Sequence, residues 1–289
     1  MKSLSWFVGV TLLWGTGTPR ADEPDARGEG KPSLTIPLPG GTPAAGSLEF
    51  ILIRPGTFVM GCPSDERGRV GREWPPHRVT LTRPFHLGRF EVTQGQWEAV
   101  MGVNPAQPPC TGRDHPVHHV TWNDCQRFLA RLNTLGVGTF RLPTEAEWEF
   151  ACRAGTTNRF SFGDALECSD VREFCEPMDR WMWWGGNNAD RGHGPGCKPV
   201  GRKLPNPWGL HDMHGNVWEW CSDGWEPGHE RGPQTDPRGP AGSDLKVMRG
   251  GAWESHALHL RSADRSPMAA GNPEFGRLIG LRLVREIRD

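Results

Sequence analysis

Asp212 and Glu219 lie in the stretch Asn206 to Trp220, which reads Asn-Pro-Trp-Gly-Leu-His-Asp-Met-His-Gly-Asn-Val-Trp-Glu-Trp. These two carboxylates, with the Gly215-Asn216-Val217 backbone between them, offer oxygen donors of the kind that hold a hard cation. Trp208, Trp218 and Trp220 flank them. Carboxylates buried against tryptophan without a partner are strongly disfavoured. A metal ion or an arginine must therefore meet them, and an arginine-rich chain leaves both answers open.

The elements that carry these residues follow from turn chemistry. Asn206-Pro207 and His214-Gly215-Asn216 are turn formers, and Pro207 drives Asn206 into an extended conformation. The stretch predicts a tight loop feeding a short strand. Before it, Leu48 to Ile53 predicts a strand, and Thr57 to Met60 its hairpin partner across Arg54-Pro55-Gly56. Thr93 predicts a helix cap ahead of Met101. Thr121 with Asp124 caps a second helix, and Thr144 with Glu147 forms a capping box for a third that Gly155 stops. Leu245 to Trp253 predicts a strand ending in the Gly250-Gly251 pair, and Gly280 to Arg285 a closing strand. From Thr156 to Pro199 no period persists, and so long an irregular stretch either carries function or needs pinning by a metal or a disulfide.

Composition narrows the classes. With 38 Gly, 27 Pro, 14 Trp and no Tyr, the chain predicts a loop-rich domain whose core leans on tryptophan rather than a helical bundle. A formal net charge of -1 gives no electrostatic reason for a nucleic-acid or anionic-membrane partner. Only Lys2, Lys31, Lys198, Lys203 and Lys246 accompany the arginines. Eight cysteines permit disulfides, and Cys168 with Cys175 is the expected local bridge; there is no Cys-x-x-Cys.

At the N-terminus, Lys2, the apolar run Leu4 to Trp14 and small residues to Ala21 have the order of a secretory signal, with an uncleaved anchor as the alternative. The expected division is a signal over 1–21, a flexible linker over 22–47 and a folded domain over 48–289. The protein is expected to be exported.

From Phe50 to Val284 an ordered motif series resembles the formylglycine-generating-enzyme (sulfatase-modifying factor) family. It comprises Gly56-Thr-Phe-Val-Met-Gly61, Phe90-Glu-Val-Thr-Gln94, His115-Pro-Val-His-His-Val-Thr-Trp122 and Arg141-Leu-Pro-Thr-Glu-Ala-Glu-Trp148. Gly209 to Trp220, Arg249-Gly-Gly251 and Gly280-Leu-Arg282 complete it. The resemblance implies a single α+β domain, C-type-lectin-like and loop-rich, and the protein is expected to be monomeric. It also implies structural Ca2+ on Asp212, Gly215, Val217 and Glu219, with Asn188 at a second site, and a pocket carrying Trp218, Trp253 and Arg265.

Family members that make formylglycine use copper on two thiolates in the loop after the glycine pair. Here Ala252 stands where the family has its serine and Ser255 where it has the first cysteine, and no cysteine follows Cys221. A hydroxyl is not a soft ligand, so copper chemistry is not expected. His256 and His259, with Glu254, offer a different metal in the same loop, against the plainer reading as ordinary histidines. The resulting expectation is a binding or re-purposed member that takes a peptide, glycan or protein partner. The alternative is an oxidative enzyme using another metal.

Overall fold

Leu34, Ile36 and Leu38 alternate with Thr35 and Pro37, and this short pattern is enough to build an edge strand. In the computed structural model, which describes residues 34–38, 46–188 and 194–287, β1 (Leu34–Pro37) pairs antiparallel with β2 (Ser47–Ile53). Ile36 and Leu38 are buried. Part of the expected linker thus belongs to the sheet, because two buried apolar side chains outweigh its polar surroundings. The 1–21 signal segment and most of the remaining linker lie outside the described residues.

The other edge of β2 is taken by β5 (Phe85–Gly88), and β12 (Val284–Glu286) fits between β5 and β6 (Phe140–Arg141). With both edges of β2 occupied, Thr57 to Met60 cannot be its hairpin partner. Those residues belong to β3 (Gly56–Met60), which pairs with β4 (His77–Leu81) in a three-stranded sheet completed by β8 (Gln234–Thr235). A third sheet runs β10 (Arg265–Ala269), β9 (Leu245–Arg249), β7 (Trp218–Gly224), β11 (Ile279–Gly280). The single closing strand expected over 280–285 is therefore two strands in two sheets. Leu281, Arg282 and Leu283 make the crossing between them and are all buried.

Three helices start where the caps place them. Thr93 with Gln96 caps α1 (Gln94–Met101), Thr121 with Asp124 caps α2 (Trp122–Thr134), and Thr144 with Glu147 caps α3 (Glu145–Arg153). Trp97 of α1 stacks on Phe128 of α2 at 4.8 Å between ring centroids, anchoring a core that includes Phe50, Phe140 and Trp220. Helix α3 is buried on every side, which is why its apolar residues fall into no clean stripe. Its last turn closes at Ala154 in the left-handed region, one residue before the expected Gly155.

Within the irregular stretch, the Cys168–Cys175 disulfide forms as expected, ahead of the short α4 (Glu176–Asp179). The other six cysteines are buried thiols. Among the described residues no helix is long and apolar enough to cross a membrane.

Candidate functional site

The loop from Asn206 is tied to the end of α3 by a single side chain. Asn206 Nδ2 donates to the Ala151 carbonyl at 2.7 Å, while its Oδ1 accepts from the Trp208 and Leu210 backbone N–H groups. Further on, Gly215 lies so close to Trp183 that a Cβ would stand 2.0 Å from its carbonyl oxygen. No other residue fits there. Asp212 and Asn216 both adopt left-handed backbone, which short polar side chains tolerate. This sharp path turns the carboxylates of the loop and of β7 inward.

Of the two answers open for Glu219, the structure places an arginine on it. Arg282, in the crossing between β11 and β12, donates to Glu219 through Nε and Nη2 at 2.7 to 3.1 Å, and Trp148 Nε1 donates to Oε2 at 2.7 Å. The same guanidinium reaches the Gly88 and His211 carbonyls at 2.9 and 2.8 Å. Asp212 differs. Its Oδ2 accepts the Gly201 N–H at 2.7 Å, whereas its buried Oδ1 has no partner among the described residues.

A third buried carboxylate, Glu91, was not read as part of this site from the sequence. It accepts Asn216 Nδ2 at 2.9 Å and the Val217 N–H at 3.2 Å. Burial, then the charges of Asp212 and Glu219, push Glu91 well above the carboxylate range, and burial pushes Asp212 up to about 6. One guanidinium thus faces three carboxylates. The available signal was its place in Phe90-Glu-Val-Thr-Gln94, a motif recognised as a whole without a role for its acid.

Asn188, read as a ligand of a second cation, already has a protein cation against it. Lys198 Nζ donates to Asn188 Oδ1 at 3.1 Å, to Gly194 O at 2.9 Å and to Gly196 O at 2.6 Å. A lysine ammonium and a metal ion satisfy the same convergence of oxygens, and the sequence had marked Lys198 only as one of few lysines.

The loop after the glycine pair is closed on itself. Ala252 is fully buried, and its N–H donates to Ser255 Oγ at 3.1 Å. His256 and His259 stand 6.5 Å apart between ring centroids. His259 Nδ1 lies 3.4 Å from an Asp264 oxygen, and Glu254 pairs with Arg277 at 2.9 Å. Among the described residues, His256, His259 and Glu254 are not one of the groups that bring three ligand atoms within 4.8 Å of one another. Trp218 and Trp253 are half-buried and belong to the same core cluster.

Arg265 is not with those tryptophans. It clamps Glu145 through Nε and Nη2 at 2.6 and 2.5 Å, and it lines a separate cavity of about 220 Å³ with His77, Asp223 and His229. Its position at the start of β10 and the buried acid opening α3 decide this placement. Burial works against Glu145, but Arg265 and Arg249 outweigh it and bring the carboxyl to about 2. Asp223, on the same cavity, is pushed by burial and by Glu145 up to about 7 from an ordinary 3.8.

Because the folded value is raised, the stability Asp223 contributes is complete below its unfolded value and lost as the pH climbs through the folded one. Asp223→Asn keeps an oxygen for the Glu145 N–H and the Ser222 hydroxyl and removes that loss. The variant is expected to exceed the native protein by roughly 1–3 kcal/mol at about pH 8 and to match it near pH 4, as read by urea denaturation. An unchanged difference across that range would contradict the assignment.

The sulfatase-modifying factor enzyme 1-like domain matches residues 37–287. A formylglycine-generating enzyme of Streptomyces coelicolor is 36% identical over 285 residues, covering 76% of this chain and 85% of that protein. The mouse inactive C-alpha-formylglycine-generating enzyme 2 is 34% identical over 315 residues, covering 88% and 86%. In three dimensions, PvdO from Pseudomonas aeruginosa superposes with a TM-score of 0.72 at 28% identity, over 89% of this chain and 99% of that one.

Proposed function

This chain belongs to the sulfatase-modifying factor enzyme 1-like domain family, and from that premise we propose that it is an exported binding member rather than a copper-dependent oxidase. The observation that supports this is position 255. A serine stands there with its hydroxyl turned back on the Ala252 N–H, and no cysteine follows Cys221. Without thiolates the loop has no soft ligand to hold Cu(I). Half-buried Trp218 and Trp253 beside it offer flat apolar faces to a peptide, a glycan or a protein partner.

The test is direct. The reduced, copper-loaded protein is incubated with a Cys-x-Pro-x-Arg peptide, and the product is analysed by mass spectrometry. No aldehyde above the metal-only control is expected. Aldehyde formed faster than that control overturns the binding reading, and the same assay with iron-loaded protein tests oxidative modification through another metal. In the same preparation, tryptophan fluorescence should respond to a peptide or oligosaccharide ligand, and Trp253→Ala should abolish the response.

The buried carboxylates also support a structural calcium ion. Three acids against one guanidinium, with Asp212 Oδ1 open, fit an added cation held by Asp212 and the Gly215 and Val217 carbonyls. Glu219 would join only by sharing its arginine. Chelation is expected to lower the melting temperature by roughly 5–10 °C, reversed by calcium but not by magnesium. An unchanged melting curve would remove calcium from this site.

A further inference from the structure

Two groups of three potential metal ligands occur among the described residues: Cys62 with Glu66 and Glu73, and Cys110 with His118 and Cys197. The first is already neutralised by a protein cation. Arg261 donates to Glu66 at 2.6 Å and to Glu73 at 2.5 and 2.8 Å. Among the described residues no arginine donates to the second; the cation near it is Lys198, whose ammonium is held by the Asn188, Gly194 and Gly196 oxygens. The ligand atoms of this second group all lie within 4.8 Å of one another, and all three residues are at most 3% exposed.

The surroundings of His118 are arranged as those of a metal ligand would be. Its Nδ1 stands 2.6 Å from His119 Nδ1, and its Nε2 lies 2.9 Å from the Cys110 carbonyl. That carbonyl also accepts Gln94 Nε2–H at 2.6 Å. With Nε2–H donating to the Cys110 carbonyl, the lone pair of His118 falls on Nδ1, where it accepts from His119 Nδ1–H, and a cation would take the place of that hydrogen bond. A ligating histidine commonly has its other ring nitrogen fixed by such a partner. His119 itself is held at a positive φ of 60°, a backbone conformation uncommon outside glycine, and this brings its ring against His118.

Gln94 holds the rest of the loop in place. Its Oε1 accepts the Gly112 N–H at 3.0 Å and Asn104 Nδ2 at 3.1 Å. The Cys197 N–H donates to Cys110 Sγ, so the second thiol is brought to the first by its own backbone. Two sulfurs and one imidazole are the donor set that selects soft or borderline cations over calcium and magnesium.

We propose that Cys110, Cys197 and His118 form a binding site for a thiophilic d10 cation, Zn2+ or Cu+, in this protein. Binding replaces two S–H bonds with two metal–sulfur bonds and releases two protons, with no change of oxidation state. Trp253 of the loop after the glycine pair packs against Cys110 and Cys197, so the bound cation would lie directly beneath that loop.

The experiment uses the full chain, reduced and stripped of metal, then titrated anaerobically with Zn2+ or Cu+ against a chromophoric chelator. Co2+ serves as a spectroscopic reporter through its sulfur-to-metal charge-transfer band. One equivalent of Zn2+ or Cu+ is expected, with affinity at least a hundredfold weaker in Cys110→Ser and Cys197→Ser and about tenfold weaker in His118→Gln. Whichever cation competes better identifies the occupant.

Should a serine variant fail to fold, differential alkylation of the native chain gives the same answer. One equivalent of metal must protect Cys110 and Cys197 but not Cys62. Failure of both cations to bind, affinity unchanged in all three variants, or a Cys110–Cys197 disulfide that on reduction binds neither cation would each overturn the proposal.

Discussion

Replacing Arg282 with Met is expected to destabilise the protein by about 3–5 kcal/mol, the range for removing one partner of a buried ion pair. Arg282 and Glu219 are fully buried, and the guanidinium also holds the Gly88 and His211 carbonyls. Methionine fills much of the volume and leaves a carboxylate facing carbonyl oxygens. The charge explanation is separable from packing. Adding Glu219→Gln to Arg282→Met should recover part of the loss, because an amide tolerates burial without a cation. Urea denaturation of the native protein, the two single variants and the double variant closes the cycle. A double variant as weak as the sum of the singles would mean that Arg282 acts mainly by filling space.

Lys198→Met is the second large effect. The substitution keeps the aliphatic stem and removes the ammonium from Asn188 Oδ1 and the Gly194 and Gly196 carbonyls. Oxygens stranded in this way cost on the order of 2–3 kcal/mol in total, a shift of roughly 5–10 °C in melting temperature for a domain of this size. Lys198→Gln retains an N–H donor of shorter reach and should fall between the two. A melting temperature unaltered in Lys198→Met would show that water replaces the ammonium at no cost.

What the sequence made legible was local. Capping boxes depend on side chains three residues apart, so Thr93, Thr121 and Thr144 announced the helix starts. The Cys168–Cys175 bridge, seven residues apart, was equally visible. Long-range partners were not. Nothing near Gly56 reveals that both edges of the preceding strand are taken by segments elsewhere in the chain. Glu219 demanded a positive partner, but only the fold selects Arg282 among the many arginines. The partner of Arg265 is hidden in the same way, because its clamp on Glu145 spans 120 residues. Glu91 and Lys198 were missed because a buried charge looks like any surface charge until its surroundings are known.

The position of β12 between β5 and β6 has a consequence for how the chain reaches its native state. The five-stranded sheet is joined across its interior by a segment near the end of the sequence, and Arg282 bonds to Gly88 across 194 residues. Until that segment arrives, β5 has an unpaired edge and the loop carboxylates lack their guanidinium. Folding of the domain therefore waits for this segment, and a chain stopped short of residue 282 is left with an open sheet edge and uncompensated acids. Residues 281–286 thus act as the latch of the domain, satisfying the sheet edge and the loop acids in one step.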